Sequence, residues 1–413
     1  MTARLRRGRI AVIGAGPAGM STALSISQAG HDVRLFERYK EPRPAGNILN
    51  LWPPPIKALR LLGVDTDDLG APCATEFRAP SGRVRVKVRL PEDVVREYGG
   101  GFIGLLRPGL YERLLSVLPQ GLLQTNQDVL GLEQDESGVR LHLGSGEVQE
   151  FDVVVGADGI DSVVRRTLWG DQPKREHNLH IFGGYTFEQP QGASRGLCIL
   201  THSRTVQGSW SSIRHHNRDG FQWWVLGAHD ARRSFTVDLK ATATAMGAEF
   251  PAPLPQLIAA TETEHVQRWV LRDRPALTQW SQGRVTLVGD AVHPTSPYAA
   301  YGAGMAIEDG YFLGRRLAGV DLSDYQAVRV ALDAFEAPRK PHTAAQVQQA
   351  WMLGKVFHHA PAPLRPLRDA ILDHTPFLQK QVGDKSPAEI VAQLAEIDSA
   401  EAEFLAALGG PAD

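Results

Sequence analysis

The sequence is poor in cysteine, in long apolar runs and in excess charge of one sign. Its two cysteines, Cys73 and Cys198, lie far apart and show no metal-binding or redox spacing, so we expect reduced buried thiols, a cytoplasmic protein and no metal site. Lysine and arginine total 44 against 46 acidic residues, which gives no bias towards nucleic acid or an anionic membrane. No apolar window approaches the length of a membrane span. These absences argue against disulfide scaffolds, membrane-spanning proteins and basic nucleic-acid binders.

A glycine-rich turn follows a short β-branched apolar run near the start of the chain. The run 10–13 is typical of a strand buried in a parallel sheet, and Gly14, Gly16 and Gly19 then reproduce the pattern G-x-G-x-x-G ahead of a helix. Such glycines allow a tight turn, close approach of a pyrophosphate to the backbone, and close packing of helix on strand. The helix N-terminus adds free N–H groups and a positive dipole end. Taken alone, the turn also fits a purely structural role.

The segment after this helix ends in an acidic residue. Residues 32–36 predict a second strand, and Glu37 stands at its end, about twenty residues past the glycines, where an acid binds an adenosine ribose. A carboxylate at this position disfavours a 2′-phosphate. The fingerprint therefore predicts FAD or NAD as the nucleotide, and NADP is not expected in this site.

Two later stretches repeat the order of buried strand, turn with aspartate, and helix. Asp158 follows the strand at 151–155, and Asp290 follows the strand at 284–288. Open α/β sheets bind ligands at the carboxyl ends of their strands, so Asp290 is a candidate acceptor for polyol hydroxyls such as a ribityl chain. It also fits a helix cap. The helix predicted from Gly302 would direct N–H groups at a ring that gains negative charge.

The sequence resembles the single-component FAD-dependent aromatic hydroxylases, the group of p-hydroxybenzoate and salicylate hydroxylases. Three motifs carry the resemblance: the glycine fingerprint with Glu37, the Asp158-Gly159-x-x-Ser162-x-x-Arg165 motif, and the Gly289-Asp290-Ala291-x-His293-Pro294 motif. They occur in the family's order and, with lesser matches, span about residues 9–310. The family reads Gly-Gly-Gln-Gly or Met-Ala-Gln-Gly where this chain reads Ala299-Ala300-Tyr301-Gly302. We therefore expect a pocket of different shape beside Tyr301.

The resemblance implies FAD as the bound cofactor and NADPH or NADH as a transient electron donor. It assigns the pyrophosphate side to Arg107, cofactor positioning to Asp158 and Arg165, and the ribityl chain to Asp290. The full set of expected cofactor-binding residues is Gly14, Gly16, Pro17, Ala18, Gly19, Glu37, Arg38, Arg107, Asp158, Arg165, Gly289, Asp290, Pro297, Gly302, Ala303 and Gly304.

Candidates for substrate contact and catalysis come from the aromatic, strand-rich stretch 179–270 and from the loop before Gly302. The resemblance places Pro297 beside the isoalloxazine, and the candidate catalytic residues are Pro297, Tyr301, Tyr185 and His202. The candidate substrate residues are Asn47, Trp210, Trp223 and Tyr298.

Several of these side chains also fit simpler roles. Trp223 and Trp224 are adjacent on a predicted strand and point to opposite faces, so at most one of them lines a cavity. Tyr185, His202 and Trp210 also fit scaffold positions. His293 is interpreted as a structural partner near the cofactor in preference to a base, and the run 214–216 as ordinary solvated charge.

The predicted fold is α/β, with a Rossmann-like FAD-binding domain, an inserted, mostly antiparallel β-sheet domain and a helical C-terminal tail. The predicted limits are 1–75, 101–178 and 271–345 for the FAD-binding domain, 76–100 and 179–270 for the substrate-binding sheet, and 346–413 for the helical region. The predicted function is an FAD-dependent monooxygenase that uses NAD(P)H and O2 to hydroxylate an aromatic or heteroaromatic small molecule through a flavin C4a-hydroperoxide. Alternatives are a flavin-dependent epoxidase, halogenase or reductase on the same scaffold, or a non-catalytic flavin-binding redox sensor. We expect a monomer or homodimer.

Overall fold

β-Strands and helices alternate through the first part of the chain in the structure, a computed structural model that describes residues 8–44, 46–230, 232, 235 and 237–409. The strands are β1 (Arg9–Ile13), β2 (Asp32–Phe36), β3 (Ile48–Leu51), β4 (Ala71–Arg78), β5 (Val84–Lys87), β6 (Phe102–Leu106), β7 (Leu123–Gln124), β8 (Val129–Gln134), β9 (Val139–Leu143), β10 (Val148–Phe151), β11 (Val153–Gly156), β12 (Arg175–Thr186), β13 (Leu197–His202), β14 (Val206–His215), β15 (Arg218–Ala228), β16 (Gln267–Asp273), β17 (Ser281–Gln282) and β18 (Val285–Leu287). The helices are α1 (Pro17–Gln28), α2 (Pro53–Leu61), α3 (Glu92–Tyr98), α4 (Arg107–Val117), α5 (Val163–Trp169), α6 (Leu239–Gly247), α7 (Leu254–Ala260), α8 (Gly302–Leu317), α9 (Tyr325–His358), α10 (Arg365–His374) and α11 (Lys385–Ala407).

A largely parallel sheet brings the three sequence motifs to one edge. Its strand order is β17-β18-β11-β1-β2-β7, and only the short β17 runs antiparallel to its neighbour. The register places Ile13 opposite Gly156, and Gly156 opposite Leu287. Because these strands run in the same direction, the turns that follow β1, β11 and β18 lie side by side.

Helices α1 and α8 pack closely against each other beside this sheet. A Cβ atom at Gly310 would lie 2.5 Å from the backbone nitrogen of Thr22, and one at Gly314 would lie 2.2 Å from Oγ of Ser25. Glycine on α8 therefore allows the two backbones to approach. Ser25 uses the contact to donate a hydrogen bond of 2.8 Å to the carbonyl oxygen of Tyr311.

A second sheet of nine strands has two different faces. Its path is β16-β12-β15-β14-β13-β4-β6-β3, and β5 pairs with β4 as an antiparallel hairpin. One face is covered by α6 and α7, which enclose an aromatic core with Phe182, Trp210, Phe221 and Trp223. The alternation of side chains along each strand directs Leu200, Trp224 and Trp269 to the other face. A separate antiparallel sheet, β10-β9-β8, lies between β7 and β11 in sequence.

The predicted fold class is confirmed, with a Rossmann-like sheet, a mostly antiparallel second sheet and a helical C-terminal segment. The structure adds one detail to the division of the chain: β3 and β6, which fall inside the predicted limits of the FAD-binding domain, hydrogen-bond into the nine-stranded sheet. The domain limits themselves stay a prediction, and residues 1–7 and 410–413 at their two ends lie outside the described residues. Among the described helices, none combines the length and apolar character needed to cross a membrane.

Candidate active site

The glycine fingerprint forms the turn between β1 and α1. A Cβ atom at Gly14, where φ is +101°, would lie 2.6 Å from the carbonyl oxygen of Ala157, and one at Gly19 would lie 1.8 Å from that of Gly14. The protein itself therefore requires these two glycines. A Cβ at Gly16 would meet only the Tyr111 hydroxyl oxygen, at 3.8 Å. The space in front of Gly16 is thus left open by the protein and suits a ligand at the start of α1.

The predicted ribose-binding acid lies next to this turn. One carboxylate oxygen of Glu37 accepts a hydrogen bond of 2.9 Å from the backbone N–H of Ala15, and the other accepts one of 2.9 Å from that of Tyr39. These bonds hold the acid against the fingerprint. The neighbouring Arg38 is exposed, and its guanidinium carbon lies 4.9 Å from the centroid of the Tyr39 ring. The structure thus gives Arg38 a partner outside the fingerprint turn.

Asp290 lies in a recess, where its side chain reaches solvent while protein atoms surround it. Burial raises the pKa of this carboxyl above its ordinary value, while the charges of His293 and Arg107 act in the opposite direction. Within the described residues the carboxylate makes no hydrogen bond, and the short turn 289–291 has no side-chain cap. The helix-cap role is therefore not observed. An accessible acceptor at the bottom of a cleft suits the hydroxyl groups of a bound polyol.

Arg107 and Tyr111 connect the two ends of this cleft. They stand four residues apart on α4, where side chains share one face. Burial raises the pKa of Tyr111; the charge of Arg107 opposes this effect, and the charges of Glu37 and Asp290 add to it. Tyr111 therefore lies within electrostatic range of both predicted cofactor acids. The sequence reasoning missed Tyr111, which its spacing from Arg107 would have revealed.

The Asp158 motif supports the cleft from behind. One oxygen of Asp158 accepts hydrogen bonds from the backbone N–H groups of Val163 at 2.7 Å and Val164 at 3.3 Å, at the start of α5. The buried guanidinium of Arg165 donates to the carbonyl oxygens of Ala291 and Val292 at 3.4 and 3.3 Å. Arg165 thus fastens α5 to the loop that carries Asp290, which is a positioning role.

A chain of buried ionisable groups underlies the same loop. Asp309 on α8 accepts from the backbone N–H of Gly289 at 2.9 Å and lies 2.5 Å from Nε2 of His293. Its other oxygen pairs with Arg339 of α9 at 2.9 Å, and Arg339 also pairs with Glu308 at 3.1 Å. His293 is therefore held by an aspartate, as a structural partner would be. The sequence reasoning missed Glu308, Asp309 and Arg339.

Tyr301 is a correction to the sequence prediction. Its side chain is 9% exposed, and its hydroxyl donates a hydrogen bond to Glu308. The ring lies over Gly304, where a Cβ would come within 2.7 Å of the ring carbon Cδ2, and edge-on to His342. The side chain thus points into the contact between α8 and α9. The buried ring is therefore not placed to shape a substrate cavity, because its hydroxyl reaches a buried acceptor about two helical turns further along α8.

The other face of the nine-stranded sheet carries large apolar side chains that are only partly buried. Leu200 and Trp224 stand on inner strands, yet both remain half-buried, on the side of the loop 293–302. Ala300 of that loop belongs to the same apolar cluster, and its carbonyl accepts from the indole N–H of Trp52 at 3.1 Å. Pro297, one turn earlier, is exposed.

Trp210 and Trp223 lie on the opposite face, which corrects their predicted role in substrate binding. Trp210 is 5% exposed, and Trp223 is fully buried with its indole N–H donating to Oγ1 of Thr261 at 2.7 Å. Both pack under α6 and α7. Strand alternation then places Trp224 on the other face, which packs against Tyr298 and Ala300 of the loop 293–302.

The remaining candidates lie on the Trp224 face of the sheet or next to it. His202 stacks on Phe357 with ring centroids 3.9 Å apart, and burial holds its pKa well below the ordinary value, so its imidazole is neutral near pH 7. Tyr185 stacks on His265 at 4.3 Å. The side-chain amide of Asn47 donates to the carbonyl oxygen of His265 at 2.7 Å.

Tyr298 connects the loop to the C-terminal helices. Its hydroxyl hydrogen-bonds Nε2 of His358, whose Nδ1 lies 2.9 Å from the carbonyl oxygen of Thr205. A carbonyl only accepts, so Nδ1 carries the imidazole proton and Nε2 accepts from the Tyr298 hydroxyl. Burial lowers the pKa of His358 to about 4, which keeps this arrangement uncharged at neutral pH.

Comparisons with known proteins show the family of this chain and the fold that it shares. The family described as FAD binding domain matches residues 7–350. The 6-hydroxynicotinate 3-monooxygenase of Bordetella bronchiseptica is 33% identical over 335 residues, which cover 77% of this chain and 85% of that protein. The 3-amino-4-hydroxybenzoate 2-monooxygenase PtmB3 of Streptomyces platensis is 31% identical over 376 residues, covering 88% and 92%. The solved structure of HpxO from Klebsiella pneumoniae with FAD and uric acid has a TM-score of 0.80 at 22% identity, covering 93% and 97%.

The FAD contacts expected from the motifs fit the cleft, because an open space at Gly16 and an open carboxylate at Asp290 lie along one groove with Arg107 and Tyr111 between them. The chain belongs to the FAD binding domain family and is an FAD-dependent aromatic monooxygenase.

Proposed function

We propose that this enzyme hydroxylates a small planar ring that already carries a hydroxyl group, in the space between Leu200, Trp224 and the loop 293–302. One observation carries the proposal. The loop that follows Asp290 also supplies Ala300 and Tyr298, which pack against the apolar face of the nine-stranded sheet. A cofactor held by Asp290 and a ring bound on that face are thereby neighbours. The relatives that act on 6-hydroxynicotinate and 3-amino-4-hydroxybenzoate support a hydroxylated substrate.

Tyr298 is the residue that we assign to the substrate hydroxyl. Since its own proton is directed to His358, the lone pairs of the Tyr298 oxygen remain available to accept a hydrogen bond from the ring hydroxyl. Such a bond orients the ring and increases the electron density that an electrophilic oxygen attacks. His358 acts through Tyr298 and is a positioning residue.

Bound FAD supplies the redox chemistry, accepting a hydride from NADPH or NADH and activating O2. Glu37 and Asp290 would hold the two ends of the dinucleotide, and the backbone N–H groups at the start of α8 would stabilise negative charge on the flavin ring. The described chain has one nucleotide fingerprint, so the nicotinamide donor visits transiently. We place the enzyme in the cytoplasm, as a monomer or homodimer, with the domain limits given above.

The test is a screen for substrate-stimulated NAD(P)H oxidation, with 6-hydroxynicotinate, 3-amino-4-hydroxybenzoate and 3-hydroxybenzoate in the panel. We expect slow oxidation alone, acceleration with one hydroxylated ring, and a product that contains one atom of oxygen from O2. Halide-dependent chlorination, or turnover that needs no O2, would favour the alternative chemistries.

Tyr298→Phe tests the substrate contact. Loss of a hydrogen bond to a buried polar group costs about 1 to 3 kcal/mol, so we expect weaker binding of the hydroxylated substrate by about 5- to 150-fold. Binding of the matching O-methylated ring should change little, because it has no proton to donate. Equal weakening for both rings would show that Tyr298 only packs. FAD content, measured from the flavin absorbance, is the control.

A further inference from the structure

A small cleft away from the FAD groove holds two histidines and a glutamate. It lies between α4 and the turn that joins β14 to β15 and has a volume of about 150 Å³. The ligand atoms of Glu112, His215 and His216 all lie within 4.8 Å of one another. The sequence interpretation assigned the two histidines to ordinary solvated charge. Neighbouring residues on a regular strand would also point to opposite faces.

The backbone of the turn overcomes this alternation. His215 pairs with Arg218, and the two residues between them, His216 and Asn217, have φ values of 47° and 59°. This left-handed turn brings the two imidazole rings to the same side, with centroids 4.0 Å apart. Across the cleft, a Cβ at Gly109 would lie 3.1 Å from Nδ1 of His215, so the glycine on α4 leaves room for that ring.

The distances suit a tetrahedral metal ion. Ligand atoms bound at 2.0–2.2 Å to a tetrahedral centre lie roughly 3.3–3.6 Å apart. Nε2 of His216 lies 3.4 Å from Oε2 of Glu112. Both side chains are more than half exposed, at 67% and 54%, so their rotation can shorten the longer separations to His215.

The charges around the cleft also favour a cation. Arg113 is paired with Asp65 at 2.5 Å, and Arg214 is paired with Asp68 at 2.7 Å and with Asp219 at 2.8 Å. Neither guanidinium is therefore left to repel a metal.

We propose that Glu112, His215 and His216 form a binding site for a divalent transition-metal ion of the zinc class. Two imidazoles and one carboxylate suit zinc better than magnesium or calcium, which prefer oxygen ligands. Water would complete the coordination. The bound ion would fasten the β14–β15 turn of the nine-stranded sheet to α4, the helix that begins with Arg107 of the FAD groove.

A second group of three, Glu262, Glu264 and His265, is a weaker candidate. Its side chains come from one short turn and contain a single imidazole. That imidazole is stacked on Tyr185. This second group supplies two carboxylates and one imidazole. Because zinc prefers nitrogen ligands to carboxylate oxygens, the site at Glu112 is the better candidate.

The experiment is equilibrium dialysis of the FAD-loaded enzyme against micromolar ZnCl2 at neutral pH, with bound zinc counted by elemental analysis. We expect about one zinc per chain in the parent. The double variant His215→Ala, His216→Ala should lose it, and Glu112→Gln should weaken binding by at least about tenfold. Zinc should also raise the midpoint of thermal unfolding of the parent and not of the double variant, because the ion binds the folded arrangement.

His142→Ala is the matched control, since His142 faces Glu133 at 3.6 Å, a comparable exposed pair with a single imidazole. It should bind zinc as the parent does. Equal zinc in the parent and the double variant, or binding only at millimolar concentrations, would overturn the proposal and leave His216 and Glu112 as an ordinary ion pair. Each variant is checked for unchanged flavin absorbance, so that a loss of zinc is not a loss of fold.

Discussion

Replacing Glu308 by glutamine should make the stability of this enzyme less sensitive to a rise from acidic to neutral pH. Glu308 is fully buried, accepts the Tyr301 hydroxyl, and lies 3.1 Å from a guanidinium nitrogen of Arg339. Burial raises its pKa from 4.5 to about 7, although Arg339 and Tyr301 oppose this and only Asp309 adds to it. The folded protein therefore resists ionisation of a group that ionises freely in the unfolded chain.

The sign and size of the effect follow from proton linkage. Between pH 4.5 and about 7 the unfolded chain has lost this proton and the folded chain still holds it, so the contribution of Glu308 to stability falls as the pH rises. The penalty is absent below the unfolded pKa and complete above the folded one. With about 1.4 kcal/mol for each pH unit, it grows by roughly 2 kcal/mol between about pH 5.5 and pH 8. Glutamine carries no such penalty.

The assay is urea unfolding of the FAD-saturated parent and Glu308→Gln at both pH values, followed by tryptophan fluorescence. We expect the stability of the variant relative to the parent to improve by about 2 kcal/mol from the lower pH to the higher one. The control is Glu76→Gln. Burial opposes ionisation of Glu76, but Lys87 and Arg78 outweigh it and hold its pKa below the ordinary value. The contribution of Glu76 to stability is therefore already complete at both pH values. The difference in unfolding free energy between Glu76→Gln and the parent should stay constant.

Two results would refute this reasoning. A relative stability of Glu308→Gln that is the same at both pH values would show that Glu308 ionises alike in the folded and unfolded states. A variant that becomes less stable at the higher pH would show that the ion pair with Arg339 dominates over burial.

Two further substitutions test the FAD groove and the corrected position of Tyr301. Asp290→Ala should weaken FAD binding, because it removes acceptors of charge-assisted hydrogen bonds worth about 1.5 to 3 kcal/mol each. The control Cys73→Ser should leave FAD binding unchanged. An unchanged FAD dissociation constant in Asp290→Ala would show that Asp290 has only a structural role. Tyr301→Phe should lower the free energy of unfolding by about 1 to 2 kcal/mol, because the hydrogen bond to Glu308 is lost. The amount of product formed per NAD(P)H consumed should stay unchanged. An altered substrate preference would show that the Tyr301 ring contacts the substrate.

Local signals in the sequence predict the cofactor end of the site. Glycine at positions 14, 16 and 19, and an aspartate after each of two buried strands, are short-range patterns whose meaning does not depend on distant residues. The rule that parallel strands bind ligands at their carboxyl ends then places the motifs together, and the register of Ile13, Gly156 and Leu287 agrees with it.

Such patterns do not predict which distant residue a given side chain will contact. Arg339 reaches Asp309 from thirty residues away, and His358 reaches Tyr298 from sixty. No local spacing indicates which helices will pack, so neither pair is visible in the sequence. Tyr301 is an example. Its departure from the family pattern predicted a role beside the substrate, whereas in the structure its hydroxyl donates a hydrogen bond to Glu308.

The amino-acid sequence by itself determined the fold class and a dinucleotide-binding fingerprint, because these depend on backbone conformation and on short motifs. The order of those motifs along the chain gave the family resemblance, and the resemblance supplied FAD and the kind of reaction. Tertiary structure alone decided which side chains of the nine-stranded sheet are buried under helices. Trp223 and Trp224 are neighbours in sequence. Because α6 and α7 cover one face of the sheet, Trp223 lies in the core and Trp224 stays half-buried on the other face. The physical reason is that strand alternation only requires two neighbouring side chains to lie on opposite faces of the sheet. The packing of helices that are distant in sequence determines which face is buried.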